Sequence, residues 1–553
     1  MPMRPETLSA PVARTARRTA AFLHRFGNAR RGNVAMIFAL ALPVLVMVTM
    51  GSVDISRAQT VRSSLQDAID AAALAAARSS ATTNEEINAI GNRALLANLQ
   101  HFDQATLTQA TFTLNADNVV VADARINVKT LVAGIVLPDS GRLFNDYIPV
   151  GAHTEVNRSA KNLEVAMVLD VTGSMDGNDI ASLKTAANDL IDTIVKDQQS
   201  PYTSRVSLVP YSMGVNLGTL ATQARGAVSA GLAITNATKA CTGSGSSLSC
   251  TVTLTANGHG YAVGGRFVID SAPTGSTSLN STVNTAYTVT ARTANTLSFV
   301  LTRNPSTSYS GGKIYCVTAG CAYFRFTNMD GGTSVQKISN CVTERTGAQA
   351  YTDASPTSAP VGRNYPMNET GNACLASEIM PLSSSRPLLK SRINALTAVG
   401  STAGHIGTAW GWYTLSPNFN GLWGSSAANP YNSAETVKVM VLMTDGDFNT
   451  PYNTGVISGD ALTGSGANSN KINQAATNGA SAAQAAALCT AMKARGVTVY
   501  TVAFSVAANS PAATLLNSCA TTPDKAFIAS SGVQLVSAFQ AIGRDITQLR
   551  ISK

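Results

Sequence analysis

The chain has 553 residues, 45% of them hydrophobic and 13% charged, which is enough for several domains with real cores. Its net charge is +9, but seven arginines (Arg4, Arg14, Arg17, Arg18, Arg25, Arg30 and Arg31) face the single acid Glu6 within the first 31 residues. Two thirds of the excess charge thus sits in one short tail, and the near-neutral remainder argues against a nucleic-acid-binding role.

After this basic tail (1–31), Gly32 to Val53 runs 22 positions without a charged residue. A helix rising ~1.5 Å per residue over that length matches a hydrocarbon core of ~30 Å. We read 32–54 as a transmembrane helix, with the arginines before it and Asp54 after it placing the N-terminus in the cytoplasm. Pro43 is compatible, because membrane helices tolerate proline when the freed carbonyl finds another partner. A cleaved signal peptide is the competing reading, but the apolar core is long for one and no clear small-x-small cleavage site follows. Everything after Asp54 is then expected outside the cytoplasm.

Residues 55–160 form a membrane-proximal module. Ser56 to about Gln100 is alanine-rich, with Leu65, Ile69, Ala72 and Leu74 near one face of a helical pattern. From Ala105 to Arg158 the period drops to two, as in Asn118-Val119-Val120-Val121-Ala122, which predicts a small β-containing unit.

From 161 to 553 strands and helices alternate. Strands are predicted at Glu164–Leu169, Arg205–Val209, Val437–Met443, Val497–Phe504 and Ala526–Ala529. Helices are predicted around Ile180–Ile194, Leu388–Ala398, Thr408–Leu415 and Ser481–Arg495, with a last one carrying Leu535, Phe539, Ile542, Ile546 and Leu549. The fold class is therefore α/β: a doubly wound, Rossmann-like, mostly parallel sheet whose sites lie at the carboxyl ends of its strands. A stretch at about 221–386, rich in Ser, Thr, Gly and Asn with short alternating runs, reads as a β-rich insertion grown out of a loop.

The eight cysteines all fall in the exported part, six of them in that insertion. None forms C-x-x-C, so an even number in an oxidising compartment reads as disulfides. Neighbour pairing (Cys241 with Cys250, Cys316 with Cys321, Cys341 with Cys374, Cys489 with Cys519) is the simplest arrangement, although spacing does not determine connectivity.

The stretch VAMVLDVTGSM ends the first strand of this sheet in Asp170, followed by Thr172 and Ser174. Alternate residues of an extended loop share a side, so both hydroxyls can face one cavity together with the carboxylate. Hard cations such as magnesium prefer oxygen donors of this kind, although Asp, Thr and Ser at a strand-to-helix turn are more often caps. Two later stretches add donors: the glycine-bracketed loop VGSTAGHIG offers Thr402, and MTDG, closing an apolar strand, offers Asp445.

In this order around an α/β sheet, the three stretches resemble the von Willebrand factor type A domain and its metal-ion-dependent adhesion site: D-x-S-x-S, a threonine loop, then T-D-G. Thr172 stands where that family usually has its first serine, so the oxygen is kept and a methyl is added. The resemblance implies a divalent cation, magnesium first with manganese or calcium as alternatives. Thr172, Ser174 and Thr402 would ligate directly, Asp170 and Asp445 largely through water. It further implies that a partner protein's carboxylate completes the shell. Asp447 reads as a surface turn acid.

The run RRGNVAMIFALALPVLVMVTMGSVDISRAQTVRSSLQDAIDAAALAAA resembles the amino-terminal segment of TadE/TadG-like proteins of the Flp, or tight-adherence, pilus machinery. VPYSMGVNLG, CVTERTGAQAYTDA, GSTAGHIGTAWGWYTLSP and VLMTDGDFN resemble TadG-type members with the adhesion-type domain. The part from roughly Cys241 to Cys321 has no counterpart in that resemblance. It implies a single-pass protein of the bacterial inner membrane with a periplasmic main domain, assembling or anchoring the pilus through other pilus components, self-association being left open. Ile37 occupies the position five residues after Gly32 where a prepilin has glutamate, which argues against processing into a pilin. An extracytoplasmic adhesin or structural envelope protein not tied to pili is the alternative. A hydrolase is disfavoured, since H-E-x-x-H, G-x-S-x-G and a phosphate loop are all missing. His405 reads as a packing residue, and Trp410 and Trp412 as core.

Overall fold

The computed structural model describes residues 33–551 except 80, 82, 100–104, 116–118, 132–145, 158–160, 201, 274–278, 282–284, 306–309, 368–370 and 433. The basic tail expected at 1–31 lies outside the described residues. The chain divides into two units, Met1–Arg158 and Ser159–Lys553.

In the first unit a single helix, α1 (Asn33–Arg78), runs through both the apolar segment and the alanine-rich one. No break separates them, because Ala and Leu on both sides of Asp54, with Met before it and Gln after it, favour helix. Its first part leaves Met36, Ile37, Phe38, Leu40, Leu42, Val44, Leu45 and Val48 exposed, while Leu65, Ile69, Ala72, Ala73 and Ala76 in its second part are fully buried. By length and composition this helix can cross a membrane. Asp54, at the changeover, is 5% exposed and accepts the Leu131 N–H at 3.0 Å.

The buried part packs with α2 (Asn84–Asn98) and the antiparallel sheet β1 (Ala105–Leu114), β2 (Val119–Lys129) and β3 (Tyr147–Asn157). Val120, Ala122, Ala124, Ile126 and Val128 of β2 are buried in strict alternation, the period that one covered face imposes.

The second unit is a mixed α/β domain. Its main sheet contains β4 (Asn162–Asp170), β5 (Ser204–Tyr211), β6 (Met380–Ser383), β7 (Thr436–Thr444), β8 (Thr498–Phe504) and β9 (Ala526–Ala529), in the order β6-β5-β4-β7-β8-β9. All neighbours are parallel except the edge strand β6, which runs antiparallel to β5. Helices α3 (Asn178–Ile194), α4 (Arg386–Asn394) and α8 (Gly532–Ile551) form one packed group. Helices α5 (Gly404–Leu415), α6 (Ser481–Ala494) and α7 (Pro511–Cys519) form another. Strands buried on both faces account for the near-continuous apolar runs in β4 and β7.

Every residue of α5 is buried, as its uncharged sequence GHIGTAWGWYTL requires. A Cβ on Gly411 would fall 2.4 Å from Val168 Cγ2 and 2.9 Å from Met440 Sδ, so the helix backbone rests directly on β4 and β7. Gly411→Val should lift the helix and cost about 1–3 kcal/mol, read as a lower urea midpoint at unchanged slope. Trp410 and Trp412 belong to the core, and Trp412 Nε1 donates to the Tyr431 hydroxyl at 2.8 Å.

The segment expected as one insertion at 221–386 consists of two kinds of structure. Residues 232–316 carry two four-stranded antiparallel sheets around their own core, which includes Val252, Leu254, Phe267, Phe299 and Ile314. By contrast, Cys341, Val342, Leu375, Met380 and Leu382 join the main core, and β6 belongs to the main sheet. Both parts are rich in Ser, Thr and Gly, so composition does not separate them. The four disulfides join Cys241 to Cys250, Cys316 to Cys321, Cys341 to Cys374 and Cys489 to Cys519, the neighbour pairing read from the sequence.

Candidate metal centre

From β4 the chain moves through α3 to β5 on one side, and it later returns to place β7 on the other side of β4. The sheet order therefore switches between β4 and β7, and the carboxyl ends of strands at such a switch are where open α/β sheets bind ligands. Val168 pairs with Leu442 across this junction, so Asp170 and Thr444 end their strands side by side and Asp445 follows immediately.

Asp170 is fully buried. Its Oδ1 accepts the Thr172 N–H at 2.9 Å, and its Oδ2 accepts the Thr444 hydroxyl at 2.7 Å and lies 3.1 Å from the Tyr211 hydroxyl. The hydroxyls of Thr172 and Ser174 are 3.0 Å apart, and Ser174 Oγ donates to Asp445 Oδ1 at 2.8 Å. Four of the five sequence-predicted residues are thus joined in one hydrogen-bonded chain, Asp170 through the Thr172 N–H and the rest through side-chain oxygens, buried at Asp170 and Thr172 and exposed at Ser174.

The loop that carries Thr402 is joined to this place, although among the described residues no hydrogen bond links Thr402 itself to the other four. Gly173 N–H donates to Gly400 O at 2.9 Å and Val399 N–H to Val171 O at 2.8 Å, so the two loops are joined backbone to backbone. Gly400 has φ +81°, and a Cβ there would approach Ser212 Oγ at 3.3 Å and Asn372 Oδ1 at 3.4 Å. A glycine meets both demands. On the other side, Thr402 N–H donates to Asn449 Oδ1 at 3.0 Å and Asn449 N–H to Thr402 O at 2.9 Å, which ties the loop to the segment after β7. Asp447 is exposed.

Burial raises the Asp170 pKa against the pull of its hydrogen-bond donors. Burial, followed by the charge of Asp170, pushes the Asp445 carboxyl up to about 7. Among the described residues neither carboxylate forms an ion pair. The contrast within β4 is sharp. Glu164, equally buried near the other end of the strand, contacts both Arg205 and Lys438, its neighbours across the sheet. The domain thus supplies two cations to one buried acid of β4 and none to the other. The side-chain donor atoms gathered around Asp170 are all oxygens, a set that fits magnesium, manganese or calcium. Among the described residues no group of three or more His, Cys, Asp or Glu is placed to hold a metal, so any ion here would depend on hydroxyl ligands.

Tyr211 and Thr444 were not among the expected residues. Each is the last residue of a strand beside β4 or Asp445, a signal that the strand order would have supplied. His405 is fully buried with Nε2 3.6 Å from Glu344 Oε2.

As a class, the second unit is a parallel-sheet α/β domain with a carboxylate and hydroxyl cluster at its switch point. Residues 32–79 match the family model described as putative Flp pilus-assembly TadE/G-like. No curated protein matches the chain. Among solved structures, the pilus adhesin SpaC from Lactobacillus rhamnosus GG is similar with TM-score 0.30 and 10% identity, covering 80% of this chain and 34% of that one. This chain therefore spans about a third of that adhesin's length. The vWF domain of a type V pili tip protein from Porphyromonas gingivalis has TM-score 0.30 and 10% identity, covering 70% of this chain and 95% of that one. The PilB minor pilin from Streptococcus sanguinis has TM-score 0.29 and 10% identity, with coverages of 80% and 78%.

Proposed function

We propose that this chain is a membrane-anchored, divalent-cation-dependent protein-binding component of Flp/Tad pilus assembly or anchoring. The match over 32–79 supports the pilus setting, the exposed apolar part of α1 supports a single membrane crossing, and the arginines that precede it support a cytoplasmic N-terminus with the main domain in the periplasm. The second unit is read as a von Willebrand factor A-type domain with a metal-ion-dependent adhesion site. The observation that carries this reading is the pair of carboxylates, Asp170 and Asp445, set among hydroxyls with no basic partner among the described residues.

Thr172, Ser174 and Thr402 would hold the ion directly, and Asp170 and Asp445 through water. A bound divalent cation supplies a Lewis-acidic position for an incoming carboxylate. The protein's own part is to hold the hydroxyls at fixed spacing through the Asp170 turn and the Gly173–Gly400 link. We read the role as binding, not catalysis, because His405 is turned to Glu344 inside the core.

Calorimetric titration of magnesium and of manganese into the full chain in detergent tests this. Saturable binding by the parent and none by Asp170→Ala is expected. Equal heats for the two proteins, or none for the parent, would remove the metal from the proposal.

A further inference from the structure

A second polar site shares no lining residue with the carboxylate and hydroxyl cluster. A cavity of about 340 Å³ is lined by Arg225 and Arg363, with Glu344, Tyr365, Tyr452 and Gly320 among its walls. Arg225 is 6% exposed, and its Nη1 donates to Ser339 O, while Arg363 Nη2 donates to Ala227 O at 3.4 Å. The buried Nε of each has no acceptor among the described residues. No described carboxylate forms an ion pair with either guanidinium. Burial lowers the Arg225 pKa, Tyr365 opposes that shift, and the nearby charge of Arg363 adds to it by less.

The tyrosines and the glutamate of the wall make hydrogen bonds of their own. Tyr365 donates its hydroxyl to Cys321 O at 2.9 Å, and the Tyr452 hydroxyl meets Met213 O. Glu344 accepts the Tyr452 N–H through Oε1 at 2.8 Å and turns Oε2 toward His405. Two guanidinium groups without an ion pair among the described residues thus face one cavity, whose single acid is hydrogen-bonded through Oε1 while its Oε2 has no hydrogen-bond partner among the described residues. Burying like charges without a counter-ion is unfavourable, and a planar carboxylate matches the guanidinium fork. Two arginines against one glutamate leave an excess of one positive charge in the lining, so a monoanion balances it, whereas a phosphate dianion would bring its second charge against Glu344. The volume lies in the range of small-ligand sites, roughly 300–1,000 Å³.

We propose that this cavity binds a carboxylate, carried either by a small organic acid or by the free C-terminus of a peptide. The full chain in detergent is titrated with acetate, N-acetylglycylglycine, the amide of that peptide, and inorganic phosphate. Saturable binding of a carboxylate is expected, with the amide at least about tenfold weaker than the peptide acid and Arg363→Gln weakening the acid by about tenfold. Acetate binding as well as the peptide acid assigns a free small acid, and tighter binding of the peptide acid assigns a chain end. Should Arg363→Gln fail to fold, Glu344→Gln, which keeps an acceptor for the Tyr452 N–H, is expected to bind the acid severalfold more tightly than the parent. The proposal is overturned if the amide binds as well as the acid, if phosphate binds better than either carboxylate, or if neither carboxylate saturates below about 50 mM.

Discussion

Asp445→Asn should be more stable than the parent in chelator and less stable than the parent in magnesium. At pH 8, above the value of about 7 to which burial and Asp170 push the Asp445 carboxyl, the parent without metal holds the charged Asp445 carboxylate beside Asp170, two acids whose charged forms burial disfavours. The substitution removes one of them, keeps an oxygen to accept from Ser174, and should raise the melting temperature by a few degrees, since relieving such a repulsion is worth about 1 kcal/mol. With magnesium at about a hundred times its dissociation constant the parent gains about 2.7 kcal/mol, and the variant, short of one carboxylate, gains far less. The order of the two melting curves therefore reverses between buffers. The same order in both would mean that Asp170 and Asp445 are an ordinary buried pair with no cation to bind.

The second large effect lies toward the opposite end of β4. Glu164 is fully buried between Arg205 and Lys438, and Lys438 Nζ also donates to Leu415 O at 2.9 Å, where a cation suits the last turn of α5. Glu164→Ala leaves the two cations without their acid and should cost about 3–5 kcal/mol. Burial already lowers the Lys438 pKa, with Glu164 opposing that trend. Without Glu164 the folded-state pKa drops further below its unfolded value, so the unfolded chain holds more protons. Stability of the variant then rises with pH through that window, and its deficit narrows toward pH 10. Glu164→Leu combined with Lys438→Met should lose less than Glu164→Ala alone, because fewer charges remain uncompensated. Urea unfolding at pH 7 and pH 9.5 reads both statements. A loss below about 1 kcal/mol for Glu164→Ala would show that water already serves the two cations.

Much of this protein follows from short-range pattern. A charge-free run of 22 residues, strands apolar on both faces and helices with one apolar stripe are set by local solvation, so the α/β class and the apolar helix are legible in the chain itself. Asp170 and Asp445 were legible for the same reason, since each directly follows or ends an apolar strand, and the disulfides join cysteines that are neighbours in sequence. The sequence could not say that Met380–Ser383 returns to the main sheet as its antiparallel edge, because four residues with half-buried alternation resemble the strands of the adjoining β lobe. Nor could it place Tyr211 and Thr444 on Asp170, join Gly400 to Gly173, or turn Arg225 and Arg363 toward one cavity. Those contacts link residues distant in the chain, and they exist only because strand order and loop closure bring them together. Local solvation selects the elements, whereas the neighbours of a side chain are decided by which strand lies beside which.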